Sequence, residues 1–214
     1  TITISDTSID ASALNTLNDK TTVTINAAAV TTLSGSASDL NTAYSSSGIS
    51  GLGNESITIS DTSIDASVLN TLDTNTTGII DASAVTTLSG SASDLNTAYS
   101  SSGISGLGNE TVLVTSGTSS VLLANNLSAA TSGVVSATLS DGDMATLANL
   151  SENNNAYTIT ISDTSIDASA LNTLNGKTTA TINAAAVTTL SGSASDLNTA
   201  YSSSGISGLG NESI

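Results

Sequence analysis

The sequence predicts a repeat solenoid in which parallel β-strand rungs alternate with short α-helices, an α/β-solenoid or a β-helix carrying short helices, with about eight rungs. Three observations predict it. The 55-residue segment 2–56 recurs with few substitutions as 57–111, and residues 158–214 repeat residues 1–57 with only Asp19/Gly176 and Val23/Ala180 changed. Each copy is punctuated by short β-branched runs, and apolar residues at helical spacing follow them. Finally, the 214 residues include no Phe, Trp, Pro, Cys or His. Without bulky anchors for a globular centre, the chain needs a thin core extended in one direction, where no rung buries its apolar face until a neighbour stacks on it.

The units are residues 2–56, 57–111, a divergent and shorter 112–157, and 158–214, read as one continuous segment of a longer array. The strand runs are ITI at 2–4 and VTI at 23–25, ITI at 57–59 and GII at 78–80, VLV at 112–114 and GVV at 133–135, and ITI at 159–161 and ATI at 180–182. In the helix of DASALNTLN, Ala11, Leu14 and Leu17 share one face behind an Asp10 N-cap. In that of SASDLNTAY, Ala37, Leu40, Ala43 and Tyr44 do the same, with Ser36 or Ser38 as cap. Residues 27–33 (AAAVTTL) read as strand on their Val-Thr-Thr run, against a helix suggested by Asn26 and the pair Val30 and Leu33.

The stretch SGSASDLNTAYSSSGISGLGNE stands unchanged at residues 34–55, 89–110 and 191–212. Across the divergent unit the counterpart positions Thr111 and Thr158 stand 47 apart instead of 55, a shortfall equal to the length of GISGLGNE, so that octapeptide reads as a removable surface bulge between helix and strand. Its glycines Gly48, Gly51 and Gly53 supply the backbone freedom for one. Glu55, Glu110 and Glu212 close the bulge, either solvated or facing a cation or a lysine.

The formal charge of −16 arises from 18 acidic residues against Lys20 and Lys177. No basic patch is available to neutralise phosphates, so nucleic acid is excluded as a partner class. No apolar run approaches the ~18 residues of a membrane span. Without His, Cys or Arg, and with every carboxylate pair repeated in the same surroundings, the sequence offers no unique catalytic constellation, and the chain reads as not an enzyme.

The candidate ligand residues are Asp6 and Asp10, repeated as Asp61 and Asp65 and as Asp163 and Asp167. Each pair follows a strand, where carboxylates and loop carbonyls together form oxygen sites suited to Ca²⁺; helix capping explains the same residues without a metal. The divergent unit has Ser116 and Ser120 at these positions. Asn15, Asn41, Asn70, Asn96, Asn172 and Asn198 fall at one point of successive helices, as a stacked ladder or as a polar face. Threonine pairs such as Thr1 and Thr3, Thr22 and Thr24, and Thr158 and Thr160 suggest an ice- or surface-binding array, broken at Ile79, Leu113 and Val134.

With ITISDTSIDASALNTLN, VTTLSGSASDLNTAYSSSGISGLGNE and the 55-residue spacing in view, the chain resembles the Ser/Thr-rich repeat arrays of giant bacterial cell-surface proteins, the cyanobacterial type of β-strand repeat protein above all. The resemblance implies an exported, very long structural or adhesive protein with an extracellular or cell-surface location, and it carries no catalytic residues. The expectation is a structural segment of a filament, surface layer or adhesin stalk whose partners are copies of itself, joined end to end or laterally. Both ends fall at one phase of the repeat without capping rungs, in keeping with further pairing to the same kind of chain. The alternative is a calcium- or carbohydrate-binding adhesion module, with surface polysaccharide as its partner.

Overall fold

The computed structural model describes residues 1–213. It contains alternating parallel strands and eight short helices in several parallel sheets. The chain forms two compact units, residues 1–90 with 94–110, and residues 91–93 with 111 onward.

The first unit begins with β1 (Ile2–Thr3), β2 (Ser8–Asp10), α1 (Ala11–Asp19), β3 (Ile25–Asn26), β4 (Thr32–Gly35), α2 (Ala37–Ser45) and β5 (Ile49–Ser50). It continues with β6 (Ser56–Ile59), β7 (Ser63–Asp65), α3 (Ala66–Asn75), β8 (Ile80–Asp81), β9 (Thr87–Ser91), α4 (Ala92–Ser100) and β10 (Ile104–Ser105). The helices start where the sequence predicts. Asp10, in extended conformation, accepts from the Ser12 amide to cap α1, and the Ser36 hydroxyl caps α2 by accepting from the Asp39 amide. Leu14 and Leu40 point inward with no exposed surface, joined by Ile25, Leu33, Ile57, Leu69, Ile80 and Leu88. Each such side chain contributes about 1.5–3 kcal/mol on full burial.

Parallel pairing follows a regular interval. Ile2 lies beside Ile25 and Ile25 beside Ile49, giving the sheet β1-β3-β5. A second sheet runs β2-β4-β6-β8-β10, and β7 pairs with β9. Within the second sheet β6 changes role. In sequence it is the counterpart of β1, yet it lies on β4, with Leu33 beside Ile57, and on its other side it meets β8, with Ile57 beside Ile80. Each full repeat therefore moves its first strand from one sheet to the next, which a simple translation of the repeat would not do.

Two local expectations are corrected. Residues 27–31 are neither helix nor strand but a tight corner closed by the Val30 amide on the Ala27 carbonyl, and the strand begins at Thr32. GISGLGNE is not a surface bulge: its Ile49 and Ser50 form β5, paired with β3. At Gly51 (φ +88°) a Cβ would lie 2.8 Å from the Ala28 nitrogen, so glycine is required where the chain turns off β5 against the neighbouring corner.

The second unit holds β11 (Thr111–Ser116), α5 (Val121–Ala130), β12 (Val135–Thr138), α6 (Met144–Leu147) and β13 (Ala156–Thr158), followed by β14 (Ser165–Asp167), α7 (Ala168–Asn175), β15 (Ile182–Asn183), β16 (Thr189–Ser191), α8 (Ala194–Ser202) and β17 (Ile206–Ser207). Its pairings are β11-β12-β13, β14-β16 and β15-β17, all parallel. The divergent segment is shortened in two places. Val135 and Leu139 stand four positions apart where Ile80 and Leu88 stand eight apart, and β13, which lies on β12 as β10 lies on β8, runs into the next repeat with Asn155 and Ile159 four positions apart where Ile104 and Val112 stand eight apart. Among the described residues, no helix is long and apolar enough to cross a membrane.

Candidate functional site

The acidic residues singled out in the sequence have two separate duties. Asp10, Asp65 and Asp167 each cap their own helix, accepting the amides of Ser12, Ser67 and Ser169 at 2.9 Å. The same serines donate their hydroxyls to these carboxylates. At Asp10 and Asp167 these serine bonds, hydroxyl foremost, hold the carboxyl below its ordinary value. Asp61 and Asp163 instead reach back to an earlier helix. Asp61 accepts the Ala37 amide at the start of α2, and Asp163 accepts the Met144 amide at the start of α6, both at 2.7 Å. Asp141, outside the predicted set, does the same for Val121 of α5. Asp6 is exposed. Each backbone partner is one of the amides that a helix start leaves without an internal acceptor. The structure thus distributes five of the six aspartates over helix starts and leaves Asp6 exposed; among the described residues no group of three or more acidic side chains is placed to hold a metal ion.

The loop after β5 carries a site that the sequence did not disclose. Glu55 is fully buried. Its carboxylate accepts the Tyr44 hydroxyl at 2.8 Å and the Gly53 amide at 2.8 and 3.1 Å. Its backbone carbonyl accepts the Thr76 hydroxyl at 2.7 Å. Glu110 is equally buried, with Tyr99 at 2.9 Å and Gly108 at 2.8 and 2.9 Å. The donors in these bonds, a phenol and a backbone amide, are both uncharged. Burial first, then the neighbouring Glu55 carboxylate, pushes the Tyr44 hydroxyl well above its ordinary value. In the second unit Tyr201 donates to Glu212 at 2.7 Å in a more open setting. There burial pushes the Glu212 carboxyl up, but the bonds from Tyr201 and Gly210 outweigh it and leave the group below its ordinary value.

The divergent segment rebuilds this corner with other residues. Tyr157 occupies the position of Glu55: its carbonyl accepts the Thr178 hydroxyl at 2.8 Å, as the Glu55 carbonyl does that of Thr76. Its ring is buried, and its hydroxyl donates to the Ala124 carbonyl at 3.3 Å. In the ordinary repeats the Ile25, Ile80 and Ile182 amides donate to the carbonyls of Gly48, Gly103 and Gly205. At the matching Val135, the Asn155 side chain supplies the acceptor at 2.8 Å. One amide side chain and one phenol thus take over from the missing link.

The asparagines do not stack on one another as a ladder. Asn15, Asn70 and Asn172 donate to the carbonyls of Asp39, Asp94 and Asp196 in the following helix, at 2.9–3.0 Å. Their Oδ1 atoms are buried without a hydrogen-bond partner among the described residues. Asn41 accepts from Asn75 at 3.3 Å. The threonine row is also interrupted, since Thr3 lies beside Asn26 and Asn26 beside Ser50. Thr31, Thr86 and Thr188 use their hydroxyls on the carbonyls of Thr7, Thr62 and Thr164, 24 residues earlier.

No protein-family model, curated protein or solved structure matches this chain.

Proposed function

We propose that the chain is a structural segment of a long extracellular filament, surface layer or adhesin stalk, in which the repeats continue one another as a solenoid and copies of the chain associate. The observation that carries this reading is the direction of the polar side-chain bonds. Thr31 to Thr7, Asn15 to Asp39 and Ala37 to Asp61 all join residues 24 apart, and Thr86 to Thr62, Asn70 to Asp94 and Asn172 to Asp196 repeat the interval. Carboxylates, amides and hydroxyls that would serve as ligands or catalysts elsewhere here fasten one turn of the repeat to the next. Such an array gains stability with every added turn, and repetition of the same bonds suits a scaffold better than a single reactive centre.

Residue 158 restores the phase of residue 1, so residues 1–157 can be concatenated without a junction. Electron microscopy of one, two and four such copies tests the reading. Rods that lengthen by a constant increment per copy are expected, and particles that stay globular or separate into beads would refute it.

A further inference from the structure

Two features set the second unit apart from the ordinary repeats. The first lies on α5. Its Val121, Ala124 and Leu127 are buried, as the corresponding residues of α3 and α7 are. Leu122, however, is 70% exposed, where Ser12, Ser67 and Ser169 stand in α1, α3 and α7. The second arises because α6 has only four residues while α2 and α8 have nine. Between α6 and α7 lies a groove of about 190 Å³ lined by Met144, Leu147, Ala148, Ala170 and Leu174 together with Thr173 and Lys177. The groove between α7 and α8 is lined instead by Asn172, Asn175, Asn198 and hydroxyl residues. An exposed leucine thus lies in the divergent segment, and a largely apolar groove large enough for an isobutyl group lies where that segment meets the next repeat.

The charges around them are complementary. Beside Leu122, at the start of α5, the Asp141 carboxylate accepts the Val121 amide. At the groove stands Lys177, one of only two cations in a chain of net charge −16; its ammonium donates to the Ser151 carbonyl at 3.2 Å. We infer that Leu122 of one copy of this chain enters the α6–α7 groove of a second copy, with Asp141 facing Lys177. This names the lateral contact of the filament proposed above and rests on that reading. Projection and groove are different surfaces, so the contact is heterologous and does not close on itself. One side chain buries far less than the ~1,200 Å² of a stable complex, so a single contact is weak and gains strength from many parallel copies along long chains.

Sedimentation equilibrium of concatemers of four copies of residues 1–157, over a wide concentration range at low and high salt, tests the contact with several projections and grooves on each chain. Average mass should rise with concentration, more so at high salt, where repulsion between acidic copies is screened. Leu122→Ser, which installs the residue of the sister helices, and Ala148→Glu, which places a charge in the groove, should each weaken association by about tenfold or more. Mixing the two variants should restore a dimer that grows no further. Association of Leu122→Ser equal to wild type would overturn the contact, as would a wild type that stays monomeric throughout. Binding of the apolar dye ANS to wild type and Leu122→Ser alike, with association in neither, would assign the groove to a small apolar ligand and also overturn it. Concatemers carrying Leu122→Ser separate this test from the filament reading: rods that still lengthen with copy number leave that reading standing.

Discussion

Glu55 and Tyr44 show how this chain satisfies a buried carboxyl group with uncharged donors. The carboxylate receives one hydroxyl and one backbone amide, and removing a donor leaves a buried acceptor unsatisfied. Tyr44→Phe should therefore destabilise the first unit by about 1–3 kcal/mol, read from chemical denaturation. Replacing both partners, as in Tyr44→Phe with Glu55→Leu, should cost less than the two single changes added together. The raised Tyr44 hydroxyl also fixes a pH dependence. Because its folded value lies above the unfolded value of about 10, its contribution is complete below that pH and is lost as pH rises toward the folded value. Thermal midpoints should fall on the alkaline side, and Tyr44→Phe should flatten that fall. For the aspartates, whose carboxylates already meet helix amides, addition of EGTA should leave the thermal midpoint unchanged; a clear drop would restore calcium to the account.

At the scale of elements, β5 and the loop after it decide whether GISGLGNE is ornament or wall. Deleting residues 48–55 should abolish cooperative folding of the first unit, because it removes the strand on β3 and the buried Glu55 together. Gly51→Ala, which forces a Cβ onto the Ala28 backbone at positive φ, should cost about 1–3 kcal/mol in the same denaturation experiment. A surface bulge would tolerate both. The helices were legible in the sequence because Asp10 and Ser36 are local caps and Leu14 and Leu40 keep local spacing. The β5 strand was not, since two residues such as Ile49 and Ser50 carry no periodicity and are strand only through a partner at Ile25. Glu55 was hidden for a related reason: its donors are a phenol eleven residues earlier and a backbone amide, and neither leaves a mark on the sequence pattern. The spacing of the asparagines was open to a stacked ladder or a polar face; Asn15 and Asn70 instead reach carbonyls of the following helix, partners that spacing alone does not reveal.

At the scale of the molecule, the repeat explains how so small a supply of large side chains can suffice. Every inward Leu or Ile needs only the strand or helix of an adjacent turn to cover it, and the hydrogen bonds of Asn, Thr and Asp run in the same direction as that stacking. The divergent segment shows the tolerance of the plan, since Asn155 and Tyr157 restore a shortened corner with two side chains. Under the function proposed above, these bonds join successive turns into one continuing structure. That claim is tested most directly by guanidinium unfolding of one, two and four concatenated copies of residues 1–157. Coupled turns predict a transition midpoint that rises with copy number toward a plateau, as nearest-neighbour contacts are added. A midpoint identical for all three lengths would mean that each copy folds alone, and would contradict the claim.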